Sequence, residues 1–532
     1  MSAVEYIKDA VEKPHAVWSA NVDYWNFLMQ SYEGGIKYTN SLITGNNKSK
    51  AGFLNSLMTF FVNGVDQSKQ ITEISGNLFQ HPKEKSEDYN RRLNMSYYYN
   101  FCAPVIDIYK NHLFKDPVVA DWSNIADEVS EREENIDNSG SSLEEFRKQI
   151  AEMAQLYGHV FVIVDSPKIS SESEPINLQD QKDMELYPYF TIHQPQNVIN
   201  WSLDKDGCPY WVLLREYEDQ NTDVKLYDKT KTNSSYTYLL WTRTEWARFN
   251  KDYELIETNT HDIGEVPIVC VYDKKSKYAR NFLGISMIAD IAFISRDIYN
   301  SCSELKQILR DQTFAFLAIQ GTSDEYNELS TGTGKGLLYP EGRNVPQYVS
   351  PPADNANIYF DHIDRQVSKI YQLAKLESGG LSGSVKVAGN VSNSNQQSGV
   401  AKAWDFNETN SALNEKAGNL EDGETKLWQL FALWLGKEFE GSIKYPDEFS
   451  VSSILDDITE AEAAARLKLG ETYDIEVKKA IQKKKFPSAP QDELDAMAEE
   501  LQSVSADNAR TNDLVKRFQF LNNNKNAVPG GE

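Results

Sequence analysis

Cysteine is scarce: four in 532 residues, at Cys102, Cys208, Cys270 and Cys302, with no CxxC and no zinc-ligand spacing. That excludes a disulfide framework or a structural zinc site and leaves reduced core thiols. Long apolar runs are missing as well. No stretch reaches the ~18 apolar residues of a membrane span, and the first residues, MSAVEYIKDAVEKPHAVW, hold no apolar signal region, so the expectation is a cytosolic product. Basic residues are in deficit, with 54 Lys and Arg against 79 Asp and Glu, a net charge of -25. Such a chain lacks the basic face with which static DNA-binding proteins neutralise phosphate. A surface along which DNA slides without sticking is not excluded by that charge.

Catalytic patterns are also lacking. Gly332-Thr333-Gly334-Lys335-Gly336 looks like a phosphate loop, but Gly336 stands where Ser or Thr is needed and Leu329 where the opening Gly belongs. It reads as a turn. Gly380-Leu381-Ser382 fails as a nucleophile elbow because position 384 is Ser. No HExxH or calcium-loop pattern occurs among the seven His and many acids. His193 reads as a hydrogen-bonded sheet residue, and Glu131–Glu134 as a solvated face. The expectation is no cofactor, no metal and no enzyme activity. The enzyme alternative is an acidic carbohydrate-active hydrolase, which ten Trp and 28 Tyr would suit. It needs two carboxylates ~5–10 Å apart, which sequence cannot display.

What the chain does contain is an order of elements. An apolar content of 40% supports real cores, and the length allows three or four domains at ~150 residues each. After a mixed, mostly helical start, residues 82–116 read as one long helix kinked at Pro104. Ser141-x-x-Glu144 and Ser142-x-x-Glu145 are capping-box matches opening a helix that Gly158 ends. VFVIVD at 160–165 is a buried strand. From Tyr187 to Tyr272 the chain is β-rich: YFTIH, NVINW, YWVLLREY, VKLYD, YTYLLWT and VPIVCVY.

The period then changes. Residues 283–309 carry apolar positions at helical spacing. Strand-and-turn material follows (FAFLAIQG, GLLYP, NVPQYV, NIYF), then a helix at 361–376 with Ile363, Val367, Ile370 and Leu373 in register. Residues 378–398 hold four Gly, six Ser, three Asn and no acid, and Lys386 is the only charge between Glu377 and Lys402. From Val400 a helical pattern runs through Leu413, Leu420, Leu427 and Trp434. Some 36 residues at ~1.5 Å each make a rod of roughly 55 Å. IKYPDEFSVSSI at 443–454 reads as one more strand. The tail from Asp456 reads as short helices with a disordered end. A slack loop opening so long a rod belongs in a large assembly into which the loop projects.

This order resembles the portal proteins of tailed bacteriophages. HPKEKSEDYNRRLNMSYYYNF…VIDIYKNHLFKDPV looks like the N-terminal region of many portals, and PQNVINW looks like a wing strand. The strongest match is stem, clip, stem. The resemblance implies an α+β portal-type fold with an α/β wing, a two-helix stem, a strand-containing clip, a long wing helix and a helical crown. In residues it implies an N-terminal and wing domain at 1–280, stem helices at 281–312 and 361–377 and a clip at 313–360. It further implies a tunnel loop at 378–398, a long wing helix with its return strand at 399–455, and a crown with a flexible tail at 456–532.

The family forms a ring, usually dodecameric, at one capsid vertex of the virion, and is made in the host cytoplasm. Double-stranded DNA passes through its channel, driven by the terminase; head-completion adaptor or tail proteins bind later, and the major capsid protein surrounds it. What the resemblance implies for sites is a DNA-facing loop with Ser384, Lys386, Asn390, Asn393 and Asn395. It also implies a terminase- or adaptor-facing clip tip with Asp324, Glu325, Lys335 and Arg343. No catalytic residue is implied. The runner-up within the same class is another capsid or head–tail structural protein.

Overall fold

The computed structural model describes residues 3–39, 76–167 without 82, 187–218, 235–276, 282–313, 316–318, 347–349, 354–376, 399–447, 449, 479 and 496–497. The chain divides into two compact units, Met1–Phe449 and Ser450–Glu532. Nearly all described residues belong to the first, which mixes helix and sheet as an α+β chain does.

Its elements run α1 (Ala3–Glu12), α2 (Ala16–Glu33), α3 (Gly35–Thr39), α4 (Ser86–Met95), α5 (Cys102–Leu113), β1 (Val119–Asp121), α6 (Ala126–Arg132) and α7 (Leu143–Tyr157). Strands β2 (His159–Asp165), β3 (Tyr189–His193), β4 (Val198–Leu203), β5 (Pro209–Glu218), β6 (Ser235–Thr242), β7 (Glu245–Phe249), β8 (Leu255–Thr260) and β9 (Ile268–Tyr272) follow. Then come α8 (Ala289–Thr313), β10 (Phe316–Ala318), β11 (Gln347–Val349), α9 (Asp354–Leu373), α10 (Gly399–Trp434) and β12 (Ser442–Lys444).

Two antiparallel sheets form the centre. One has the order β3-β2-β9, the other is the meander β4-β5-β6-β7-β8. β2 explains its own sequence. Val160, Val162 and Val164 face a core shared with the helices, whereas Phe161 and Ile163 face a second core shared with Trp201, Val212, Leu214 and Trp241 of the meander. Both faces are buried, so the strand is a continuous apolar run rather than an alternation. The far side of the meander is covered by α1 through Ile7, against Ile199, Leu213 and Phe249.

Several expectations hold in detail. Ser142 and Glu145 form the full capping box of α7, and Gly158 ends that helix in the left-handed region at φ 89°. His193 ends β3 with Nε2 3.0 Å from the Thr191 hydroxyl. All four cysteines are free, although Cys208 lies exposed in a turn rather than in a core.

Other expectations need correction. Residues 82–116 are two helices, not one kinked at Pro104. The break falls at 96–101, where Ser96 is extended at ψ 144°. The Asn100 side chain accepts from the Cys102 and Ala103 amides, so Pro104 sits in the first turn of α5, where its missing N–H costs nothing. Of the strand expected at 443–454, residues 448 and 450–454 lie outside the described residues; Ser442–Lys444 is the part that forms, held by pairing with β1, which passed unread. So did β7 and β8, whose polar side chains hide the strand period. VKLYD and the tail from Asp456, apart from 479 and 496–497, lie outside the described residues.

Two buried histidines set a pH dependence. His159 is fully buried; its Nδ1 accepts from the Gly284 amide at 3.3 Å, and burial holds its pKa down to about 3. Burial holds His193 down to about 4. His15, His112 and His261 are lowered too, each chiefly by burial. These rings are neutral in the fold, titrate near 6.5 once unfolded, and so take up protons on unfolding. For His159 and His193 the stabilisation is complete above pH 6.5 and is lost as the pH falls from 6.5 toward 4. For His159 and His193 the loss is about 1.4 kcal/mol each per pH unit in that window. The urea midpoint is therefore expected to be clearly lower at pH 5 than at pH 7. Equal midpoints would contradict the neutral assignment.

Candidate functional site: a helix hairpin and the long helix beside it

Helix α8 spans 25 residues, about 37 Å at ~1.5 Å per residue. Its apolar stripe, Ile291, Ile298, Cys302 and Leu305, faces inward. α9, 20 residues long, returns beside it. Tyr359 donates to Glu304 at 2.6 Å, while His362 and Gln366 each lie 2.9 Å from the Asp297 carboxylate. Partner numbers fall on α8 as they rise on α9, so the helices are antiparallel. Beyond their joined ends, β10 pairs antiparallel with β11, Phe316 opposite Val349. A helix, a strand pair and a returning helix thus form one hairpin.

Its bounds differ from those read in the sequence. The first helix starts at Ala289 rather than 281–283, because residues 284–288 cross the end of α7. There the Ile285 amide donates to Lys274 O at 2.8 Å, and the Met287 amide to Gln155 O at 3.0 Å. The second helix starts at Asp354 rather than 361. NIYF is helical, because Ala356 and Phe360 extend the Ile363 and Val367 spacing backward.

The hairpin is fastened at its base. A Cβ on Gly284 would lie 1.9 Å from the Gly158 carbonyl oxygen, so two backbones touch there. Higher up, the buried Arg296 guanidinium lies 4.9 to 5.2 Å from the ring centres of Phe27, Phe79 and Phe293. Asn300 accepts from the Phe79 amide at 2.8 Å and donates to Asn77 O at 3.0 Å. Arg92 of α4 reaches Glu84 at 2.8 Å and the Ser303 hydroxyl at 3.3 Å. Against the outer part of the hairpin lies an open apolar groove of about 430 Å³, lined by Tyr97, Tyr99, Cys302, Leu305, Leu309 and Phe360 among others, with Lys306 at its edge.

The long helix α10 has the 36 residues foreseen. It packs against β9 closely enough that a Cβ on Gly423 would stand 2.9 Å from Val271. Thr409 donates to Lys375 O at 2.6 Å, joining the end of the hairpin to α10. About four turns on, Glu424 is buried with four donor atoms around it. Arg147 gives Nε at 2.9 Å and a terminal nitrogen at 2.7 Å, Trp428 Nε1 at 3.0 Å, and the Tyr445 hydroxyl at 2.7 Å. Burial works against the Arg147 charge, but the Glu424 carboxylate overrides it and raises the pKa. Lys416 pairs with the fully buried Asp273. There burial pushes the carboxyl up and Lys416 opposes the rise.

The foreseen site residues are not among these. Ser384, Lys386, Asn390, Asn393 and Asn395 lie outside the described residues, as do Asp324, Glu325, Lys335 and Arg343. The buried charges of α10 and their partners were missed. A signal existed: Glu424 follows Leu420 by four residues and precedes Leu427 by three, so it interrupts an apolar stripe. Among the described residues, no group of three metal-ligating side chains assembles, and no helix is long and apolar enough to cross a membrane.

No protein-family model matches the sequence, and no curated protein matches it. Solved structures do. A chain from the neck of an empty gene transfer agent particle, computed with C6 symmetry, is 12% identical, with a TM-score of 0.38 over 69% of this chain and 85% of that one. A chain from the neck of the native particle with C12 symmetry gives 12% and 0.36 over the same shares. One from the virion of the native particle gives 11% and 0.35 over 69% and 84%. Overlap this slight carries no inference about role, which rests on the chain's own geometry.

Replacing Glu424 by Leu leaves Arg147 buried without a counter-charge, a loss of about 3–5 kcal/mol. The double replacement Arg147→Met with Glu424→Leu is expected to recover much of that. Urea unfolding of both variants checks it; a double variant as unstable as the single one would show that the pair is not the cause.

Proposed function

We propose that this chain is the subunit of a phage-type portal ring, a conduit for double-stranded DNA at one vertex of a capsid. The observation that carries the reading is the hairpin: two antiparallel helices joined through a strand pair, followed by a 36-residue helix packed against the central sheet. A pair of antiparallel helices with exposed flanks is material for a shared wall. The acidity fits the role, because persistent Lys and Arg contacts would hold a moving duplex electrostatically.

In this reading residues 314–353 form the end that meets the terminase and later an adaptor or tail protein. Asp324, Glu325, Lys335 and Arg343 then supply exchangeable rim contacts that set orientation more than affinity. Residues 377–398 form the loop that meets DNA through Ser384, Lys386, Asn390, Asn393 and Asn395. One Lys per subunit gives contacts that are brief and salt-screened. The chain performs no catalysis; the terminase supplies the energy.

Light scattering of the purified protein is expected to give a closed ring near twelve times 60.5 kDa. Monomer under all salt conditions would overturn the proposal. Lys386→Glu is expected to lower DNA packaging or retention while leaving ring mass unchanged. Normal packaging by that variant and by a deletion of 384–394 would reduce the segment to a linker.

A further inference from the structure

Lys306 and Arg310 stand one turn apart on α8, and both are exposed. They border a small polar hollow between α8 and the end of α4. It measures about 90 Å³, several times the space that one water needs. Its floor is buried, with Arg92 6% and Ser303 3% exposed. Arg92 Nη1 meets the Ser303 hydroxyl at 3.3 Å, and Ser96 Oγ lies 2.7 Å from that hydroxyl. Asp88 and Arg91 of α4 stand at the rim, both exposed.

Four cations line this space against one acid. Arg92 is matched by Glu84 at 2.8 Å. Arg91 is matched by Asp88, loosely, at 3.8 Å between two exposed side chains. Lys306 and Arg310 have no carboxylate partner among the described residues. Lys306 donates to Met95 O at 2.6 Å, and Arg310 reaches Met95 Sδ at 3.4 Å. Both acceptors are neutral, so two positive charges are left over. Donors are left over as well. The Met95 carbonyl takes one of the three ammonium hydrogens of Lys306. A basic side chain at the end of a helix commonly serves its last carbonyls. That accounts for Lys306 but not for Arg310, whose only contact is a weakly accepting sulfur.

We propose that the hollow binds a doubly charged phosphate group, free or as a monoester. Such a group carries about −1.5 to −2 at pH 7, which matches the two cations left over. A nucleic-acid diester brings a single charge and a chain on either side, and a hollow of this size takes the phosphate alone. Lys306 and Arg310 hold the anion from α8 and Arg91 from α4; the guanidinium forks suit its oxygens. Ser303 and the uncommitted Nη1 hydrogen of Arg92 lie beneath it. Asp88 opposes binding, because it repels the anion and competes for Arg91. Bound phosphate ties α4 to the hairpin. The site lies within one copy of the chain, so it does not depend on the ring reading.

The probe is inorganic phosphate, titrated calorimetrically into the full chain at fixed chloride. One phosphate per chain is expected. The double variant Lys306→Gln with Arg310→Gln is expected to bind it roughly tenfold more weakly or worse. Asp88→Asn is expected to bind it several-fold more tightly, a gain that a merely structural hollow does not produce. Phosphate is also expected to raise the melting temperature of the native chain and not that of the double variant. Melting reports whether each variant folds, and Arg310→Gln alone, expected to weaken binding several-fold, stands in if the double variant does not. No binding by the folded native chain overturns the site. So does equal binding by the native, double-variant and Asp88→Asn chains. Duplex DNA that binds through Lys306 and Arg310 where inorganic phosphate does not would assign these cations to a backbone diester and overturn the proposal equally.

Discussion

Everything around the long helix depends on one constraint: a buried carboxylate must have a cation at hand. Glu424 is buried in the middle of α10, and Arg147 of α7 meets it with two nitrogens. Tyr445, just past β12, and Trp428, one turn on, complete its shell. Apolar packing is non-directional, and a helix lined with Leu could slide by a turn and still bury Leu. The ion pair cannot slide, because a shift of four residues would strand both charges. Lys416 with Asp273 repeats the constraint two turns earlier. Between them the pairs fix α10 against both α7 and the end of β9.

From that registration the rest follows. With α10 fixed, Thr409 meets Lys375 and the end of the hairpin is placed. Tyr109 of α5 donates to Ala374 O at 2.8 Å on the same corner. The start of the hairpin is placed independently, by the contact of Gly158 with Gly284. The pair is held at both roots, and among the described residues its outer flanks expose Tyr97, Leu309, Ile358 and Phe360.

Much of this was legible in the sequence, for reasons tied to particular residues. The buried strand 160–165 announced itself because both its faces are apolar, and α10 because its apolar positions keep helical spacing across ten turns. The Ser142 box and the Gly158 stop were readable because capping chemistry is local. β7 and β8 were not, since EWARF and LIETNT sit at the exposed end of the meander and owe their form to pairing with β6 and with each other. The break at Ser96–Phe101 was invisible because Asn100 caps from a position the helical pattern also accepts. The pairing of Glu424 with Arg147 spans 277 residues, and no local pattern carries a partner at that distance.

The meeting of Gly158 and Gly284 has a mechanical consequence. Where side chains touch, a push is absorbed by rotamer changes; where peptide planes touch, nothing can yield. A thrust along α8 therefore reaches β2 and β9 through backbone atoms, and the hairpin and the central sheet move as one stiff body. The root of the hairpin is thus where it resists bending most.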